Sequence, residues 1–244
     1  MLFIISGPSG SGKTMMVLQI LSAVPNIEFS ISWTTRQPRG SEQNGREYNF
    51  TTREEFERMI AANEFLEYAE VFGNYYGTSQ RSLTEAEAGG RDLFLDIDVQ
   101  GAAQVRSRVR DAVSIFVMPP NPEILSSRLN NRSRIEGNTD PVVIARRLAK
   151  ARSEIENYRE YDYILVNDIL DRAVEELEAI VRCERLRRSG TLVTSDTLRF
   201  FEIAEGCRQP NTAERLRPVL EAFSIEAPVQ APEHEQYKLL EDPQ

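Results

Sequence analysis

The sequence predicts an α/β protein built on a parallel sheet with helices against its faces. Two observations carry this. Strand-like apolar runs alternate with stretches of helical period along most of the 244 residues, an order that places parallel strands under covering helices. The first run also leads directly into a glycine-rich turn, "GPSGSGKT" (7–14), that opens a helix. The length suits one good-sized domain with appendages, or two small ones.

Strands are expected at "LFIIS" (2–6), "LFLDID" (93–98), "VSIFVM" (113–118) and "YILVN" (163–167). The first helix runs from Gly12 to about Val24, with Met16, Leu18 and Leu21 as apolar positions, and another follows Gln100. Pro122 suits a first helical turn and opens a helix towards Leu129. The clearest period is Ile144, Leu148, Ala151, Ile155, Tyr158, one apolar stripe on a helix opened by Pro141. Over 171–187, Asp171 is the expected cap, with glutamates early and arginines late, the order the helix dipole favours. Residues 32–80 break the alternation. They are polar, aromatic and rich in turns, with one short helix around "REEFERMIAANEF", and read as an insert carrying a binding surface. After Ser189 two short helices are expected, "SDTLRFFEIAE" and "NTAERLRPVLEAF", with Pro218 kinking or dividing the second. From Glu226 the Pro, Gln and Glu content predicts disorder.

A net charge of −9 argues against nucleic-acid or anionic-membrane partners, so basic clusters should serve small anionic ligands. The two cysteines, Cys183 and Cys207, form no metal-ligand spacing, and the one histidine, His234, lies in the polar tail. Histidine-based catalysis is therefore excluded, and a reduced, cytoplasmic setting is expected. "MLFIIS" lacks a basic start and is too short for a signal peptide, and no apolar run approaches a membrane span.

Gly7, Pro8, Ser9, Gly10, Ser11, Gly12, Lys13 and Thr14 form a phosphate-binding loop pattern, with a strand before it and a helix after. The glycines let backbone N–H groups turn inward, and the helix N-terminus adds partial positive charge. Lys13 can reach the β- and γ-phosphates of a nucleotide, and the Thr14 hydroxyl suits Mg²⁺. Only three lysines occur against 26 arginines, so an ammonium at position 13 is itself a signal. In the insert, Arg36, Arg39 and Tyr48 suit a phosphate monoester, because guanidinium forks donate in pairs to its oxygens.

Together "GPSGSGKT", "SISWTTRQPRGSEQNGREYNF", "NEFLEYAEVFGNYYGTS", "LDIDVQGA" and "YILVND" resemble guanylate kinase, in order from residue 2 to about 187. The resemblance implies a P-loop three-layer parallel sheet flanked by helices, with an inserted mixed acceptor-binding domain (32–80), a helical lid (about 130–147) and a C-terminal extension (189–244). It implies transfer of the γ-phosphate of ATP to GMP with Mg²⁺. Arg36, Arg39 and Tyr48 would then hold the GMP phosphate. Ser32, Glu67, Thr78 and Asp98 would read guanine, with Tyr76 and Gly77 shaping the pocket. Asn167 would lie near adenine, and Asp96 would support Mg²⁺ beside Thr14. Alternate residues of a strand share a face, so Asp96 and Asp98 are expected to act on one side.

The lid is implied to bring arginines to the transferred group, and Arg128, Arg132 and Arg147 occupy the matching surroundings. Arg147 lies at the edge of the apolar stripe, and Arg146 points nearly opposite. The lid is longer than the family pattern, and its Gly-Thr-acidic step appears only at "GNTD" (137–140), so Arg132 or Arg134 could reach the phosphates. Arg132 is preferred. The catalytic set is thus Lys13, Arg36, Arg132 and Arg147. Every site residue precedes 188, so the extension is expected to be dispensable, unless its amphipathic pieces pack on the core or form a subunit contact. A monomer or homodimer is expected. Two other readings stay open: a ribose-phosphate kinase of the same build, which would not need Ser32, Glu67 and Asp98, and a non-catalytic interaction module, which typically lacks an intact cradle.

Overall fold

The computed structural model describes residues 1–135, 141–191 and 194–226. In chain order the strands are β1 (Leu2–Ser6), β2 (Ile27–Phe29), β3 (Trp33–Thr34), β4 (Asn49–Phe50), β5 (Phe65–Val71), β6 (Asn74–Ser79), β7 (Asp92–Asp96), β8 (Val113–Met118) and β9 (Tyr163–Val166). The helices are α1 (Lys13–Ala23), α2 (Arg53–Ala61), α3 (Gln80–Ala88), α4 (Val99–Arg108), α5 (Pro122–Ile135), α6 (Pro141–Ile155), α7 (Leu170–Ser189), α8 (Ser195–Cys207) and α9 (Ala213–Ala222).

The main sheet has the order β2-β7-β1-β8-β9 and all its pairs are parallel. β1, β8 and β9 are buried along their whole length, as strands covered on both faces must be. One apolar layer joins Phe3, Ile5 and Val117 to α1 and α7 through Met16, Ile20 and Leu177, and the opposite layer joins Ile4 and Phe116 to Leu129, Ile155 and Tyr158.

The insert is more ordered than its polarity suggests. It forms a second, mixed sheet in the order β4-β3-β6-β5. Helix α2 covers it through Phe56 and Met59, which pack with Phe65 and half-buried Trp33. Thr52 caps α2 by accepting from the Glu55 N–H at 3.1 Å. The β5–β6 hairpin turns through Phe72 and Gly73, both at positive φ (51° and 81°), the conformation a two-residue turn needs to match strand twist.

Several expectations need correction. The strand at 93–98 ends at Asp96, and Asp98 instead caps α4, accepting from the N–H groups of Gln100 and Gly101. Asp171 is not the cap of α7. Ile169 holds that position without a side-chain bond, and Asp171 lies in the first turn. Pro218 does not divide α9: it sits on the exposed face, where the carbonyl it leaves without a donor can meet water. The disorder expected beyond Glu226 and the "GNTD" step fall outside the described residues.

The extension is not an appendage. Ala204 and Cys207 of α8 enter the layer of α1 and α7, and Leu216, Val219, Leu220, Phe223 and Ile225 enter the layer of α5 and α6. Arg152 of α6 and Arg159 donate to the carbonyls of Ser224 and Glu226, each at 2.8 Å.

Candidate functional site

A cavity of about 590 Å³ opens at the carboxyl ends of β1 and β7, between the second sheet and α5–α6, where open parallel sheets bind ligands. Its floor is the 7–14 loop. Gly7, Gly10 and Gly12 have φ of 139°, 90° and 94°, a region that penalises any side chain. Space excludes one as well: a Cβ on Gly7 would lie 2.2 Å from the Val117 carbonyl oxygen, and one on Gly12 would lie 2.2 Å from Asn167 Nδ2. Lys13 Nζ donates to the carbonyls of Gly7 (2.6 Å) and Pro8 (3.3 Å). Helix α1 starts at Gly12 with no side-chain cap and no acidic residue in its first turn, so its N–H groups and dipole face the loop interior.

Asn167 and Arg128 brace this floor. Asn167 Nδ2 donates to the Ser11 carbonyl at 2.8 Å, and Arg128 donates to the carbonyls of Asn167 (3.0 Å) and Ser11 (3.4 Å). Burial lowers the Arg128 pKa. Thr14 Oγ1 donates to Asp96 Oδ2 at 2.9 Å, which puts two hard oxygen groups in one corner. That donor set suits Mg²⁺, which takes one or two protein oxygens and completes its shell from phosphates and water. No group of three or more metal-ligating side chains occurs among the described residues.

On the insert side Ser32, Arg39, Tyr48, Glu67, Tyr76 and Gly77 line the cavity. Glu67 is 3% exposed and accepts from Thr78 Oγ1 at 2.6 Å. Burial pushes its carboxyl up to about 7 despite that bond. Gly101 makes the space for it, since a Cβ there would lie 2.3 Å from Glu67 Oε2. Burial likewise pushes the Tyr48 phenol up to about 12. Arg36 and Thr78 are buried and do not themselves line the cavity. The Arg36 guanidinium is 5.1 Å from the Tyr48 ring centroid and pairs with both oxygens of Glu42 at 2.9 and 3.0 Å. Burial would raise the Glu42 carboxyl, but the donors of Arg36 and the Arg39 N–H override it and hold it low. Ser32 faces the cavity, and Trp33 turns the other way into the insert.

The opposite wall carries Arg128, Arg132 and Arg147. Arg132 reaches Ser9 Oγ at 3.5 Å, whereas Arg134 is exposed and is not a lining residue. Arg147 donates to Ser133 Oγ at 3.3 Å, and Arg146 lies over the Phe72 ring instead. Asp96 and Asp98 both line the cavity, but from a strand end and a helix cap rather than from one strand face. Pro8 and Ser11 contribute backbone carbonyls to the floor. Sequence reasoning missed Lys150, Glu154 and Phe72, which complete the wall. The scarcity of lysine that pointed to Lys13 pointed equally to Lys150.

The family model described as guanylate kinase matches residues 1–184. A guanylate kinase of Koribacter versatilis is 54% identical over 222 residues, 91% of this chain and 95% of its own, a match long enough to reach into the extension. One from Neisseria meningitidis is 50% identical over 191 residues, 78% of this chain and 91% of its own. The crystal structure of guanylate kinase from Anaplasma phagocytophilum aligns at a TM-score of 0.62 and 34% identity, covering 76% of this chain and 86% of that one.

Proposed function

The chain belongs to the guanylate kinase family, and from that premise we propose how its cavity divides the work. The protein transfers the γ-phosphate of ATP to GMP, giving ADP and GDP. The ribose-phosphate kinase and the non-catalytic module are not favoured. One observation carries the division: a phosphate cradle and a buried carboxylate face each other across a single cavity.

ATP takes the 7–14 cradle, with adenine towards Asn167. GMP takes the insert wall. Glu67, with Ser32, Thr78 and Asp98, reads guanine between Tyr76 and Gly77. Guanine offers donors at N1 and N2 that a carboxylate can accept together, whereas adenine would leave it buried and unmatched. Arg39 and Tyr48 hold the GMP phosphate, and Arg36, with five N–H donors, shares its guanidinium between Glu42 and that phosphate. Thr14 and Asp96 would hold Mg²⁺, which supplies charge neutralisation at the phosphates when bound. The GMP phosphate is already an anionic nucleophile, so no base is required. Catalysis rests on alignment and on Lys13, Arg132 and Arg147 around the transferred group. No described helix is long and apolar enough to cross a membrane. A cytoplasmic setting suits the small anionic substrates and the two free cysteines.

A coupled ADP-release assay with GMP, AMP, dTMP and a ribose bisphosphate tests the acceptor, with GMP alone expected to be used efficiently. Glu67→Gln should lower kcat/KM for GMP roughly tenfold to a hundredfold, the cost of losing a charge-assisted acceptor at about 1.5–3 kcal/mol, while KM for ATP holds. A change within twofold would remove Glu67 from guanine reading.

The pH profile tests the same role. With the carboxyl pushed up to about 7, its protonated form presents a hydrogen to a base that needs acceptors. So kcat/KM for GMP should fall as pH drops through 7. A phosphate monoester has its own step near about 6. Glu67→Gln should keep that lower step and lose the upper one; an unchanged profile would exclude titration of Glu67.

A further inference from the structure

Phe72 stands at the tip of the β5–β6 hairpin with φ 51°, a conformation that glycine and asparagine fill far more cheaply. The residue is 41% exposed, yet its ring has partners. The Arg146 guanidinium and the Lys150 ammonium of α6 lie 4.9 and 5.0 Å from its centroid. Lys150 then continues to Glu154 at 3.2 Å and Asp98 at 3.9 Å. A compact ammonium can serve a ring face and two carboxylates at once, where a planar guanidinium would commit to one. Phe72 and Lys150 line the cavity, and so does Arg147, on the same helical face three residues before Lys150.

We propose that Lys150 and Phe72 are positioning residues of the transfer reaction, latching helix α6 onto the GMP side of the cavity. The inference rests on the division of the cavity given above. Strands β5 and β6, which meet at Phe72, carry Glu67, Tyr76 and Gly77, and α6 carries Arg147. A contact between hairpin tip and helix therefore sets the distance between the acceptor wall and an arginine of the transferred group. No residue of the ATP cradle takes part in the Phe72–Lys150 contact, though the Lys13 charge also acts on Glu154.

The test uses the full chain with Lys150→Met, Lys150→Arg, Phe72→Leu and the Lys150→Met/Phe72→Leu double variant. A cation over an aromatic face at an exposed site is worth about twofold to fivefold, and the carboxylate partners add a comparable factor. Lys150→Met should therefore lower kcat/KM for GMP roughly threefold to tenfold, with KM for ATP within twofold. It should also lower the melting temperature, because it unpairs buried Glu154. Phe72→Leu, which touches no carboxylate, should lower kcat/KM for GMP about twofold to fivefold with the melting temperature unchanged. Lys150→Arg should recover only part of the loss, since a planar guanidinium cannot serve the ring and both carboxylates together. The double variant should lose less than the product of the two single losses. The Lys150–Phe72 contact is broken in both, while the Arg146–Phe72 contact and the Lys150 carboxylate pairs are each lost once. Fully additive losses, equal changes for ATP and GMP, or a Phe72→Leu loss matched by a lower melting temperature would overturn the latch. Glu67→Gln in the same assay separates the two failures. If it impairs GMP use while Lys150→Met does not, the latch alone falls. If neither does, the acceptor wall is wrongly placed.

Discussion

A chain cut after Arg188 is expected to lose its fold and with it all activity, although every residue assigned to the reaction is retained. Helices α8 and α9 form part of both apolar layers. The cut takes Ala204, Cys207, Leu216, Val219, Leu220, Phe223 and Ile225 out of those layers and opens the faces they cover to water. Large side chains returned to water cost about 1.5–3 kcal/mol each, against a whole-domain stability of roughly 5–15 kcal/mol. It also strips Arg215 from Glu176, a carboxylate 6% exposed and paired at 2.7 Å, and leaves it only the longer pair with Arg172 at 3.4 Å. At the edge of the sheet, the Gln209 N–H is lost from the Asp162 carbonyl it meets at 2.9 Å. A cut after Glu226 removes none of the described contacts and should leave the melting temperature unchanged. Thermal melts and ADP-release assays of the two fragments decide the matter. A 1–188 fragment that melts and turns over like the full chain would show both helices to be peripheral.

That expectation reverses the sequence reading of the extension, and the reason is physical. Leu216, Val219 and Leu220 recur at helical spacing, so the helix itself was legible. What its apolar stripe covers was not, because partner choice between surfaces far apart in sequence leaves no local mark. The central strands were legible for the opposite reason. A strand buried on both faces must be continuously apolar, and "LFIIS" and "VSIFVM" have no other use for that composition. The insert strands hid for two reasons. β3 and β4 have two residues apiece, and β5 and β6, though longer, mix polar and aromatic residues along a partly solvated sheet. At the site, the cradle is contiguous and constrained by backbone geometry, so one segment revealed it. Glu67 and Asp98 came into view only through resemblance. The Gly101 hydrogen that admits the Glu67 carboxylate, and the Phe72–Lys150 contact, join segments 34 and 78 residues apart. Neither has a sequence pattern of its own.

Lys13→Arg, a swap that keeps the charge, is expected to remove nearly all turnover and leave the fold intact. The Lys13 ammonium lies against the Gly7 and Pro8 carbonyls, inside a loop that cannot widen. Gly7 is backed by the Val117 carbonyl and Gly12 by Asn167, with no room at either for so much as a methyl group. Asn167 is itself tied to the Ser11 carbonyl. A planar guanidinium, larger and rigid at its tip, must therefore leave the cradle or displace the phosphates. One preorganised donor aimed at developing charge is worth about 10²–10³ in kcat, so kcat should fall by at least that factor. Lys13 is only partly buried, so the melting temperature should hold. Lys13→Met separates charge from shape, since it removes the ammonium and keeps a slender chain. Equal losses in the two variants mean that the position needs a compact cation. Substantial activity in Lys13→Arg would mean that charge alone suffices, and the tight wrap of the loop would then not be what selects lysine at position 13.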